Sequence, residues 1–132
     1  MRGYLLDTAI FLWSLGAAER LNRQATALLE DATTELFLSA ASSWEISIKS
    51  ASGKLKLPEA ASTYVPKRLT SHGIRSLPIS QIHALAAGEL PRHHGDPFDR
   101  MLIAQAASED MVLMTADPSF KKYGIDILWC AR

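Results

Sequence analysis

Short apolar runs alternate along this chain with longer stretches in which apolar and polar positions recur at helical spacing. Gly3-Tyr4-Leu5-Leu6, Leu36-Phe37-Leu38, Met111-Val112-Leu113-Met114 and Ile125-Asp126-Ile127-Leu128-Trp129 are brief and nearly continuous in apolar residues. That is the pattern of strands covered on both faces of a parallel sheet. Asn22 stands at a cap position ahead of Ala25, Leu28 and Leu29. The spacing of Trp44, Ile48 and Ala51 predicts a helix from about Ala40 to Ser52, stopped by Gly53, with these three as its apolar stripe and Glu45 beside that stripe. Pro58 marks the first turn of a segment running toward Leu69, Ser80 caps a helix carrying Ile82, Leu85 and Ala86, and Asp96-Pro97 opens another through Met101-Leu102-Ile103-Ala104. Strands alternating with helices predict an α/β sandwich with a mainly parallel central sheet. There is no repeat, low-complexity tract or linker. Gly73 to Ser80 is the one weak candidate boundary, so residues 1–132 are expected to form a single domain.

Composition narrows the class. With 132 residues, 48% apolar and 8% aromatic, the chain is neither disordered nor collagen-like. Tyr4 to Leu15 follows Arg2 and has the look of an export signal, but Asp7 interrupts it, and no other run approaches the ~18 apolar residues of a spanning helix. The lone Cys130 can form neither an internal disulfide nor a thiolate metal cluster. These features predict a soluble cytoplasmic protein with no membrane contact.

Charge is balanced overall, 14 bases against 14 acids, which argues against indiscriminate coating of nucleic acid. Its distribution is uneven. Residues 1–45 carry three bases and six acids, residues 46–80 six bases and one acid, and residues 81–132 five bases and seven acids. The middle third, with Lys49, Lys54 and Lys56 at its start, is a basic island suited to a polyanion such as RNA, or else a solvated helical face.

Candidate chemistry lies with the acids. Ligands of open α/β sheets bind at the carboxyl ends of the strands. Asp7 and Asp117 stand at such ends, Asp99 continues the apolar stripe of its helix, and Glu45 sits early in its own. Carboxylates gathered at a covered sheet repel one another, and a hard divalent cation with oxygen ligands, Mg²⁺ or Mn²⁺, relieves that repulsion. Each acid also has a structural alternative. Asp7, Asp96 and Asp117 are placed to cap helices, Asp99 to complement a helix dipole, and Glu45 to pair with Lys49 at i, i+4. His93 and His94 precede Asp96 in a loop, and His72 and His83 lack zinc-ligand spacing. No phosphate-binding glycine loop or serine elbow is present, and Cys130 has no local sign of activation.

Five motifs occur in order: Leu5-Leu6-Asp7-Thr8, Ser39-Ala40-Ala41-Ser42-Ser43-Trp44-Glu45-Ile46, Gly53-Lys54-Leu55, Asp96-Pro97-Phe98-Asp99-Arg100 with Leu102-Ile103-Ala104-Gln105-Ala106, and Leu113-Met114-Thr115-Ala116-Asp117. Together, from about residue 3 to residue 129, they resemble the PIN-domain family, specifically the VapC-type toxin ribonucleases of bacterial toxin–antitoxin pairs. The resemblance implies a three-layer α/β/α sandwich and an endoribonuclease dependent on Mg²⁺ or Mn²⁺. It also implies a homodimer restrained by a cognate antitoxin.

By motif position the family's acidic quartet falls on Asp7, Glu45, Asp99 and Asp117, with Asp7, Asp99 and Asp117 as metal ligands and Thr115 as a hydrogen-bonding support. Asp96 belongs to a subgroup signature and is not promoted to a ligand. Lys49, Lys54, Lys56 and Arg100 are the expected grip on the RNA backbone. The competing reading is a PIN-like module that binds RNA or protein without cutting. A phosphoacceptor domain of similar layering fits less well, because Asp7 has no acidic neighbour. Phe11-Leu12-Trp13-Leu15 and Tyr64-Val65 are either core or a face for a partner chain.

Overall fold

The computed structural model describes residues 2–132. Five strands, β1 (Tyr4–Leu6), β2 (Leu36–Ser39), β3 (Ile74–Leu77), β4 (Val112–Thr115) and β5 (Ile127–Trp129), form one sheet in the order β3-β2-β1-β4-β5. Every neighbouring pair is parallel. Six helices connect them: α1 (Thr8–Gly16), α2 (Arg23–Glu30), α3 (Ala40–Ala51), α4 (Ala61–Ser71), α5 (Gln81–Glu89) and α6 (Pro97–Glu109). Short 3-10 turns cover Ala18–Arg20 and Pro118–Tyr123.

The continuous apolar runs are explained by two cores, one on each face. Successive residues of a strand point to opposite sides. Leu6, Leu38 and Met114 face a core filled by Ile10, Phe11, Ala25, Ile46 and Val65 of α1 to α4. Their neighbours Leu5, Phe37 and Leu113 face the other, against Leu102, Ile103 and Ala106 of α6. Helices on both faces of a parallel sheet make the three-layer α/β/α sandwich. Phe11 and Val65 are buried, and Leu12, Trp13, Leu15 and Tyr64 pack partly buried on the first core, so the two apolar stretches left open by the sequence belong to packing.

Capping follows the expected chemistry. Asn22 accepts from the Ala25 backbone N–H at 2.9 Å. Ser80 accepts from the His83 N–H, whose ring in turn accepts from the Ser80 N–H at 3.0 Å. Gly53, at φ 79°, carries the left-handed turn just after α3 that a side chain resists.

Gly73 to Ser80, the weak candidate boundary, contains β3, an edge strand whose exposed Arg75 and Ser76 lie between buried Ile74 and Leu77. Two expectations are corrected. The helix placed at Pro58 starts at Ala61, because the segment before it bends at Lys54–Leu55 and again at Pro58–Glu59 and lays Leu55 and Leu57 on the first core. Trp44 and Ile48 are not a core stripe. They are 63% and 44% exposed, while Ala41, Ser42, Glu45 and Ile46 form the buried face of α3. Ile82 and Leu85 of α5 are likewise exposed. No helix among the described residues is long and apolar enough to cross a membrane.

The two-core arrangement sets a contrast measurable by urea denaturation. Leu113→Ala, in a fully buried strand position, is expected to cost about 2–5 kcal/mol. Ile82→Ser, at an exposed helical position, is expected to stay within about 0.5 kcal/mol of the parent. Equal losses would contradict the assignment of faces.

Candidate active site

The chain runs outward from β1 through β2 to β3, then crosses back to place β4 on the other side of β1. Crevices in open parallel sheets form where the connection reverses in this way, at the strands' carboxyl ends. Here Asp7 follows β1 and Asp117 follows β4. An open cleft of about 430 Å³ lies over these ends, lined by Asp7, Glu45, Asp96, Asp99 and Asp117, together with Lys49, Arg20 and Trp13. All four acids of the quartet therefore line one cleft, although they come from four separate stretches of chain.

Asp7 is 5% exposed and doubly held. Its Oδ1 accepts the Ile10 N–H at 2.8 Å, which caps α1. Its Oδ2 accepts the Thr115 hydroxyl. The Thr115 Oγ1 in turn accepts the Asp117 N–H at 3.0 Å, so its proton is directed at Asp7. Asp117 caps the following 3-10 turn by accepting from the Ser119 N–H at 2.9 Å. Glu45, on the buried face of α3, binds Lys49 Nζ at 2.7 Å through Oε2. Asp96 accepts from the backbone N–H groups of Phe98 and Asp99, capping α6. The capping and pairing alternatives open in the sequence are thus realised together with the convergence. Asp99 is the exception: among the described residues its carboxylate accepts no hydrogen bond.

Electrostatics follow from this placement. Burial pushes the Asp7 carboxyl up to about 6 against the lowering effect of Thr115 and Ile10, with Asp117 and Glu45 adding repulsion. Burial also raises Asp99, to about 7, and Asp96, Glu45, Asp117 and Asp7 all add to it. Lys49 is raised by Glu45 first, with Asp96 and Asp99 contributing at longer range. Cys130 is buried, its thiol pushed up to about 12 chiefly by desolvation, which makes it unreactive.

The donor set tests the cation expected from the sequence. Every acid lining the cleft offers oxygen, two of them are raised by burial and by neighbouring acids, and Asp99 has no internal partner among the described residues. That chemistry fits a hard divalent ion. Among the described residues, no group of three or more such side chains is closed tightly enough to hold an ion as it stands.

Other expected residues fall elsewhere. Lys54 and Lys56 follow α3 and do not line the cleft. Lys67 pairs with Glu59 at 3.2 Å and Arg75 approaches Glu35 at 3.9 Å, so much of the basic island is locally neutralised. Arg100 is committed inside the protein. Its guanidinium donates to the carbonyls of Ala87, Leu90, Pro91 and His94 at 3.0, 2.9, 3.0 and 3.3 Å. It clamps the end of α5 and the loop leading into Asp96, and it does not line the cleft. His94 packs into the same loop through Tyr123, at 3.1 Å. Arg20 and Trp13 do line the cleft and were not singled out for it. Nothing in their local sequence indicates that α1, which carries Trp13, and the turn Ala18–Arg20 after it bring them there.

The raised carboxyls make a stability prediction for protein free of divalent cations. A carboxyl that titrates higher in the fold than in the unfolded chain stabilises while protonated, and that stability is lost as pH rises through its folded value. For Asp99 and Asp7 the loss falls between about pH 4 and pH 7. Melting temperature is expected to be higher at pH 5 than at pH 8. Asp99→Asn should be more stable than the parent at pH 8, by on the order of 1 kcal/mol after solvent screening, and should flatten the pH profile. A variant less stable than the parent at pH 8 would contradict this.

Comparison with known proteins bears on the family and the fold. The PIN domain family model matches residues 4–126. Ribonuclease VapC16 from Mycobacterium tuberculosis (strain ATCC 25618 / H37Rv) is 39% identical over 67 residues, covering 51% of this chain and 47% of that protein. The matched stretch is thus about half the length of that relative. DNA-bound VapBC from Salmonella typhimurium superposes with a TM-score of 0.74 at 19% identity, over 97% of this chain and 98% of that one. A toxin–antitoxin complex from Klebsiella pneumoniae gives 0.66 at 16% identity, over 96% of each chain. At such identities the structural likeness speaks for the fold. With the family model matching nearly its whole length, the chain belongs to the PIN-domain family.

Proposed function

We propose that this chain is an endoribonuclease dependent on Mg²⁺ or Mn²⁺, acting as the toxin of a toxin–antitoxin pair, with residues 1–132 as one PIN-like domain. The observation that carries the reading is the convergence of Asp7, Glu45, Asp99 and Asp117 on one cleft at the carboxyl end of the central strands. The ribonuclease similar over half its length and the toxin–antitoxin complex of like fold support it.

Asp7, Asp99 and Asp117 are the residues to hold the cation. When bound, a divalent ion supplies charge neutralisation at the scissile phosphate and acidifies water at the site. Thr115 fixes the rotamer of Asp7 by donating to Oδ2. Lys49 holds one oxygen of Glu45, leaving the other to take the proton from the attacking water. Attack at phosphorus then breaks the bond to the 3′-oxygen, and the products carry a 5′-phosphate and a 3′-hydroxyl.

Single-stranded or looped RNA suits an open cleft, since its bases can be splayed. Lys54 and Lys56, free of ion pairs among the described residues, are left to contact RNA beyond the cleft. An antitoxin and a second copy of the chain are the proposed protein partners. The exposed Trp44 and Ile48 on α3, and Ile82 and Leu85 on α5, are surfaces of the kind that partner chains cover. The buried single thiol fits a cytoplasmic setting.

The test is to incubate the purified protein with total bacterial RNA and map new ends, with Mg²⁺, with chelator, and beside Asp99→Asn. Discrete Mg²⁺-dependent ends bearing 5′-phosphate are expected, reduced by about 10²-fold or more in the variant. RNA retained uncut, with binding insensitive to chelator and to Asp99→Asn, would instead establish a non-cleaving module.

A further inference from the structure

Two cations line the acidic cleft, and they are in different states. Lys49 is bound to Glu45 at 2.7 Å. Arg20 makes no ion pair among the described residues. Its guanidinium lies over the Trp13 ring, 4.0 Å from the centroid. The turn Ala18–Arg20 is itself anchored to the end of the chain: the Arg20 carbonyl accepts the Arg132 N–H at 3.2 Å, and Leu21 bridges to Ala131.

A guanidinium backed by an indole keeps its planar fork of N–H donors in one place, and less freedom is lost when they engage an anion. A polyanion entering a cleft of five carboxylates needs a compensating positive charge, and Arg20 is the cleft cation without a carboxylate partner. We propose that Arg20, held by Trp13, is a phosphate-binding subsite that grips an RNA phosphodiester next to the one that is cut. The subsite rests on the reading of the cleft as an RNA site. Trp13 acts as its positioning residue.

The probe is a fluorescein-labelled single-stranded RNA of mixed sequence, bound to Asp99→Asn protein from about 50 to about 300 mM salt. Adding Arg20→Ala should weaken binding about tenfold and lower the salt slope by about one. Arg20→Lys should restore the slope but only part of the affinity. Trp13→Leu should weaken binding severalfold with the charge still present, and Trp13→Phe less so. Thermal melts run alongside identify a variant that has merely unfolded, since a purely structural role lowers stability and leaves the slope intact. Unchanged affinity and slope in a folded Arg20→Ala variant would overturn the subsite. The two readings fail separately. A parent protein that binds RNA through Arg20 but never cuts it keeps the subsite and loses the nuclease. A parent that cuts RNA with the same KM after Arg20→Ala keeps the nuclease and loses the subsite.

Discussion

β1 and β4 lie side by side in parallel, although more than a hundred residues separate them in the chain, and their register sets Leu6 opposite Met114. The residues that follow, Asp7 and Thr115, therefore reach the sheet's carboxyl end together, close enough for the Thr115 hydroxyl to donate to Asp7. A one-residue slip of either strand would turn that strand's side chain away from the other's face. Both strands are sealed into two cores, which leaves no freedom to slip. The cleft, the orientation of its acids and the crossing of the chain that delivers Asp117 all depend on this one pairing.

The acids do structural and electrostatic work at the same time. Asp7, Asp96 and Asp117 each satisfy backbone donors at the start of a helix or turn, so their positions are fixed by folding itself. Glu45 is tethered by Lys49 one helical turn on. Asp99 lacks such a partner and is the carboxyl most strongly raised in the cluster. Burial first, and repulsion from Asp96, Glu45, Asp117 and Asp7 after it, hold that carboxyl up. Arg100, next in sequence, fixes the other side of the same segment by holding four carbonyls of the preceding helix end and loop.

Much of this was legible beforehand, for physical reasons. Covered strands leave nearly unbroken apolar runs, and the runs around Leu5, Leu36, Leu113 and Ile127 mark four of the five strands. Cap residues announced themselves at Asn22, Ser80 and Asp96. β3 was not legible, because an edge strand with two polar residues between its buried ends lacks the apolar run. The periodicity of Trp44 and Ile48 misled as to face, since a 3.6-residue stripe looks the same whether it meets the core or solvent. At the site, the quartet could be placed because its acids follow strand ends or open helices. The approach of Arg20 to Trp13 depends on a 3-10 turn pinned to the far end of the chain, and no local pattern encodes that. Adjacency to Asp99 suggested a ligand-binding Arg100, whereas its partners are all backbone carbonyls.

The proposed function requires the cleft's raised carboxyls to exchange protons for a divalent cation. Calorimetric titration of the protein with Mg²⁺ near pH 6.5, in two buffers of different ionisation heat, measures that exchange directly. With Asp7 at about 6 and Asp99 at about 7 in the cation-free protein, binding should release about one proton. The release should shrink toward zero by about pH 8 and be smaller in Asp99→Asn. Binding that releases no proton near pH 6.5, or a release unchanged in Asp99→Asn, would contradict the account.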